Sequence, residues 1–170
     1  MLRLPSILLI SLVICTSVHA APADNDRQQL EKIVETFRLS LINKDKASFM
    51  QLLYSADIAW LGVATDNTIA MVAGRGTTLP KVAGNGNAVK FIDSIVSNPA
   101  RIEEKFDNVR IDTDGDIAQV YFDYSFNQDD YRSNWGKESW QLVRTGDGWK
   151  INSVIWSMEF NPEKRPKQAE

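Results

Sequence analysis

Glu138 stands at the same parity as Trp140 and Leu142 within the run Trp135–Arg144. On a regular strand it therefore shares the apolar face with them. A carboxylate held there loses water, which raises its proton affinity toward the range a general acid or base needs. A bulge that turns it outward, or a lysine or arginine paired with it, would remove that role. Tyr124 and Asn152 are the polar groups best placed to orient a bound molecule beside it, whereas Asp57 reads as a turn residue at the entry to a strand.

The aromatic residues point the same way. Four of the five tryptophans, Trp135, Trp140, Trp149 and Trp156, fall on the last two strand-like runs. Trp149 follows a turn directly and reads as packing or a subunit contact. Trp140 and Trp156 divide between core filler and cavity wall, because a curved sheet facing helices leaves a concave space that large rings line.

Other chemistries are excluded by what the chain lacks. Arg3 is followed by an apolar run from Ile7 to Cys15 and then by Val18-His19-Ala20, the pattern of a secretory signal peptide cleaved after Ala20. The run is shorter than the roughly 20 residues a membrane-spanning helix requires. Cys15 and His19 are the only cysteine and histidine, so the expected mature chain has no disulfide, cysteine nucleophile, Ser-His-Asp triad or Cys/His zinc site. No metal and no cofactor are expected, and acid–base work falls to Asp, Glu, Tyr or Lys. The formal charge is −3 with basic residues scattered, which argues against nucleic acid as a partner.

Hydrophobic spacing supplies the elements that must position these residues. Leu30, Ile33, Val34, Phe37 and Leu41 predict a long first helix with a capping box at Asp26 and Gln29. Asp45 is placed to cap a second helix that buries Phe49, Leu52 and Leu53. Ile58–Val63 reads as a strand and Thr68–Val72 as a second one. A glycine-rich connection from Gly74 to Gly86 follows, and then a third helix, Ala88–Val96, capped by Asn87. Beyond Pro99 come four strand-like runs, Arg101–Ile111, Asp116–Phe126, Trp135–Arg144 and Trp149–Phe160, separated by short turn signals. The order predicts an α+β domain in which helices cover one face of an antiparallel meander. Gly74-Arg75-Gly76 and Gly84-Asn85-Gly86 lack the third glycine of a dinucleotide loop and the lysine of a P-loop. Asp112–Asp116 has its glycine at the wrong place for a calcium loop and reads as a hairpin turn.

Taken together, Phe37 and Leu41, the segment Asn43-Lys44-Asp45-Lys46-Ala47, and Glu138–Val143 leading through Gly148-Trp149-Lys150-Ile151 to Ile155-Trp156-Ser157 resemble the nuclear transport factor 2-like superfamily, also called SnoaL-like or ketosteroid isomerase-like. The resemblance implies a cone-shaped, bent antiparallel sheet wrapped around a long N-terminal helix and two shorter helices, with a pocket at the open end. Members include isomerases, dehydratases, hydrolases, cyclases and non-catalytic modules, so the likeness does not settle function. Carried over by position, the oxyanion tyrosine of the isomerases corresponds to Phe37, and the general base falls near Leu61 or Gly62, where no acid stands. The second acid falls near Glu138 and the pocket tryptophan on Trp156. Steroid-isomerase chemistry is therefore not expected.

The expected protein is a secreted or periplasmic domain spanning 21–162, with a leader at 1–20 and a flexible tail at 163–170. Its pocket would hold a small apolar or aromatic ligand between Phe37, Leu41, Trp60, Phe122, Tyr124, Trp140, Asn152 and Trp156, with Glu138 as the catalytic candidate. The alternatives are a histidine-independent lyase, isomerase or hydrolase, and a ligand-free interaction module. A homodimer through the outer sheet face is expected in each case, with no membrane contact after cleavage.

Overall fold

A computed structural model describes residues 22–83 and 86–165. The expected leader, its cleavage point and residues 166–170 of the expected tail lie outside the described residues. Helix α1, Pro22–Ile42, aligns Leu30, Val34, Phe37 and Leu41 on one buried stripe. It begins about one turn before Asp26, so the capping box expected at Asp26 and Gln29 does not form. Asp26 lies inside the helix, only 7% exposed, and pairs with Arg144 near the other end of the chain.

Helix α2, Lys46–Gln51, starts where expected, since Asp45 Oδ1 accepts from the Ser48 amide at 3.0 Å. Strand β1, Ala59–Ala64, follows. The run Thr68–Val72, expected as a strand, is instead part of helix α3, Asp66–Gly74. Its β-branched residues favour a strand, but the Thr65 hydroxyl caps the Thr68 amide at 3.1 Å and Asp66 places a negative charge in the first turn. The buried Thr68 Oγ1 also accepts from the Phe160 amide, which fixes the helix to the last strand. The glycine-rich connection contains the two-residue strand β2, Val82–Ala83, paired with β1. Helix α4, Ala88–Ser97, is capped by Asn87.

The meander then runs through β3, Ile102–Thr113; β4, Ile117–Gln128; β5, Tyr131–Thr145; and β6, Gly148–Phe160. Gly115 and Gly148 adopt φ of +98° and +93° in two of its turns, where a side chain would be strained. The strands form one sheet ordered β2-β1-β6-β5-β4-β3, antiparallel except for the parallel pair β1 and β6. Register shifts at Asp107/Arg110, Phe126/Asn127 and Gln141/Leu142 bend the strands. The α+β architecture expected from the sequence is thus present, with α3 as an additional short helix. Of the two ends of the sheet's inner face, one is filled and one is not.

The filled end is an aromatic cluster. Trp140 is fully buried and meets Phe122 edge-on at 5.1 Å, Phe106 at 5.9 Å and Phe37 at 4.6 Å. Such ring pairs each add about 0.5–1.5 kcal/mol beyond the area they bury. They anchor α1 to the sheet and fix the floor from which Glu138 projects.

Candidate functional site

At the other end, between the sheet and helices α1 and α4, lies a cavity of about 250 Å³. Phe37 of α1, Phe91 and Ser94 of α4, and Trp60 of β1 form its near walls. Glu104, Tyr124, Phe126, Asn134, Glu138, Trp156 and Met158 rise from β3 to β6. The pleat explains the selection, because all of these strand residues stand at inward parity and the ladder sets them side by side. Phe122, Glu138 and Trp156 are direct neighbours across β4, β5 and β6, and Glu104 is opposite Phe126 on β3 and β4.

Two glycines make the walls possible. A Cβ at Gly62 would meet the Trp156 indole at 2.8 Å, so the missing side chain is what lets that ring lie against β1. There it meets Trp60 edge-on at 5.7 Å. A Cβ at Gly136 would lie 2.1 Å from the Ser157 carbonyl oxygen, which occupies that space and accepts from the Tyr124 hydroxyl at 3.0 Å. Tyr124 Oη also lies 2.9 Å from Asn134 Oδ1. Tyr124 is therefore held rigidly against β5 and β6.

The carboxyl groups are the unusual feature. Glu138 is 5% exposed and Glu104 4% exposed. Glu138 Oε1 accepts from Trp140 Nε1 at 2.5 Å, and this is its anchor to the filled end. Among the described residues, neither the outward bulge nor the pairing cation that would neutralise Glu138 is present, and no lysine or arginine lines the cavity. Burial pushes its pKa from the ordinary 4.5 up to about 7, against the lowering effect of the Trp140 N–H. Glu104 is raised well above the carboxylate range by burial and by repulsion from Glu138. Burial and both acids raise the Tyr124 phenol as well, so it stays protonated. Because the two acids repel each other, the proton on one depends on the charge of the other.

The structure thus brings together Phe37, Trp60, Tyr124, Glu138 and Trp156 among the expected site residues. Leu41, Phe122 and Trp140 lie behind the cavity in the core, where Trp140 acts through its bond to Glu138. Asn152 is a correction: it is exposed on the outer face, near Gln119, Gln141 and Asp112. The shift at Gln141/Leu142 sets Gln141 opposite Ser153 and Leu142 opposite Ile151, leaving Asn152 as the extra residue, so parity reverses there. The larger depression it borders, about 450 Å³, contains neither buried acid. Glu104, Phe91, Ser94, Phe126, Asn134 and Met158 are lining residues that sequence reasoning missed. Glu104 carried a usable signal, since it shares the parity of Ile102 and Phe106 as Glu138 shares that of Trp140 and Leu142.

No protein-family model and no curated protein sequence matches the chain. Solved structures do. The chain is similar to a nuclear transport factor 2-like protein of unknown function from Shewanella baltica OS155, at 18% identity over 81% of this chain and 97% of that one, with a TM-score of 0.58. A protein from Streptomyces avermitilis proposed to be a dehydratase of the same family aligns at 18% identity over 79% and 96%, with a TM-score of 0.56. A proposed aromatic ring hydroxylase from Novosphingobium aromaticivorans aligns at 17% identity over 81% and 90%, with a TM-score of 0.53. The class of protein is therefore clear at the level of architecture. This chain has the nuclear transport factor 2-like fold.

Proposed function

We propose that the cavity at the open end of the cone is a binding site for one small, planar, largely apolar molecule. The observation that carries this reading is an aromatic cavity that keeps two buried acids without a cation. Buried carboxyls are expensive unless partnered, and a stretch of core has no use for the space they border. Titrating the purified protein with small aromatic compounds while following tryptophan fluorescence tests it. Quenching should saturate and should weaken in a Trp156→Phe variant. A protein that no such compound perturbs lacks the site.

A second reading, acid–base catalysis by Glu138, is favoured by its pKa of about 7. It is compatible with the first, because a general acid needs a bound substrate. The proposed dehydratase among the structural neighbours supports it only as analogy. Loss of turnover in Glu138→Gln with ligand binding retained would establish it, and full turnover in that variant would remove it.

Secretion or periplasmic location is proposed on the N-terminal apolar run, and N-terminal sequencing of the exported protein should begin at Ala21. Homodimerisation is proposed through the outer sheet face, where Val63, Tyr121 and Ile155 border one shallow depression. Ile155 is 48% exposed. Dilution-dependent sedimentation tests it.

A further inference from the structure

The small-ligand reading leaves open what kind of molecule the cavity favours, and its polar groups are lopsided. Of the donors at the cavity, the Trp140 N–H is spent on Glu138, the Tyr124 hydroxyl faces Asn134 and the Ser157 carbonyl, the Ser94 hydroxyl donates to the Phe91 carbonyl and Asn134 gives an amide N–H to Ser133 Oγ. The indole N–H groups of Trp60 and Trp156 remain, and none of these donors carries a charge. The carboxyl acceptors are only partly spent. Glu104 lines the cavity, is 4% exposed, and has no hydrogen bond or ion pair among the described residues; the acid beside it, Glu138, repels it. One carboxylate oxygen of Glu138 is likewise left over after Trp140 takes the other.

The titratable groups facing the space are Glu104 from β3, Tyr124 from β4 and Glu138 from β5, all acidic. Helices α1 and α4 and strands β1 and β6 contribute Phe37, Phe91, Ser94, Trp60, Trp156 and Met158, none of which can carry a positive charge. Ring faces and uncompensated carboxyls are both attractive to a cation. A bare divalent metal is a poor match, because it requires about six oxygen ligands, and no group of three or more metal-binding side chains is found among the described residues.

We propose that the cavity receives a small organic cation, a protonated amine carried on a planar apolar body, with the ammonium between Glu104 and Glu138 and the body among Trp60, Phe91 and Trp156. This inference rests on the small-ligand reading and adds the charge of the ligand to it. The amine supplies the missing counter-charge and occupies the acidic end of the site. Its binding draws a proton from the carboxyl pair wherever that pair is still protonated.

Three probes of the same ring and chain length separate the two ideas: 2-phenylethylamine, 2-phenylethanol and phenylacetate, titrated calorimetrically into the whole protein. At about pH 8 the amine remains protonated. It should bind about tenfold or more tighter than the alcohol, with phenylacetate the weakest of the three. Glu104→Gln and Glu138→Gln should each lower amine affinity by about tenfold while changing alcohol affinity by less than about twofold. The second variant keeps the test sound if the first perturbs folding. At about pH 6, amine binding should release a proton, visible as a binding enthalpy that changes with the buffer. Equal affinity for amine and alcohol, or tightest binding of phenylacetate, overturns the cation inference and leaves the small-ligand reading intact. No binding of any probe overturns both.

Discussion

The two ends of the inner sheet face differ less in composition than in how they are completed. At the filled end Phe37, Phe106, Phe122 and Trp140 close on one another with ring centres 4.4–6.0 Å apart, and the one polar atom, the Trp140 indole nitrogen, has a partner. At the open end Trp60 and Trp156 have the same inward parity and Phe91 faces them from α4, yet they border about 250 Å³ of space and two buried acids, of which Glu138 has only the Trp140 N–H as a partner and Glu104 has none among the described residues. A core and a binding site can thus be made from one residue vocabulary. What separates them is whether volume and hydrogen-bonding capacity are used up.

That contrast can be broken at either end. The largest effect is expected at the filled end, where Trp140→Ala or Phe37→Ala removes a fully buried ring and should lower unfolding free energy by about 3–5 kcal/mol, read from denaturant midpoints. Next is pH. Because folding favours protonated Glu138, the unfolded chain binds fewer protons between pH 4.5 and about 7, and stability must fall as pH rises through that window. The share of that decline due to Glu138 is on the order of 3 kcal/mol, and Glu138→Gln should make the slope shallower in thermal melts taken across the range, with Glu104 keeping the remainder. A protein that gains stability over the same interval would contradict the burial of this acid.

Trp140→Phe should cost about 1–3 kcal/mol by removing the N–H that Glu138 accepts. It should also move the Glu138 titration, followed by carboxyl NMR, further upward. The smallest effect on folding belongs to the open end. Trp156→Phe should change stability by about 1 kcal/mol or less, since the ring is only partly buried. Gly62→Ala should push the indole off β1 and into the cavity, weakening binding of aromatic probes more than it weakens the fold.

The helix stripe, the caps at Asp45 and Asn87, and the four-strand meander were legible in the sequence because each is a local signal: periodicity, a side chain reaching its own helix, or a glycine in a turn. Glu138 was legible for the same reason. Thr68–Val72 was misread because β-branched propensity was weighed against a cap whose strength comes from position. Asn152 was misread because a bulge is decided by how two strands pair, which neither strand announces alone. The cavity itself was the least legible, since it depends on α4, β1 and β6 meeting, and the parallel pairing of β1 with β6 joins segments almost a hundred residues apart.

The clasp between Asp26 and Arg144, with Arg144 also donating to the Gly115 carbonyl, has a consequence in time. The stripe of α1 packs onto α2 and β3 and, through Phe37, onto Trp140 of β5, and its first turns are secured by a residue 118 positions downstream. A chain emerging from its N-terminus cannot finish burying that helix until β5 has been made. Long-range closure of this kind is slow, so α1 stays only partly covered until the clasp forms, and its completed docking is the event that ends the exposure of its apolar stripe to misassembly.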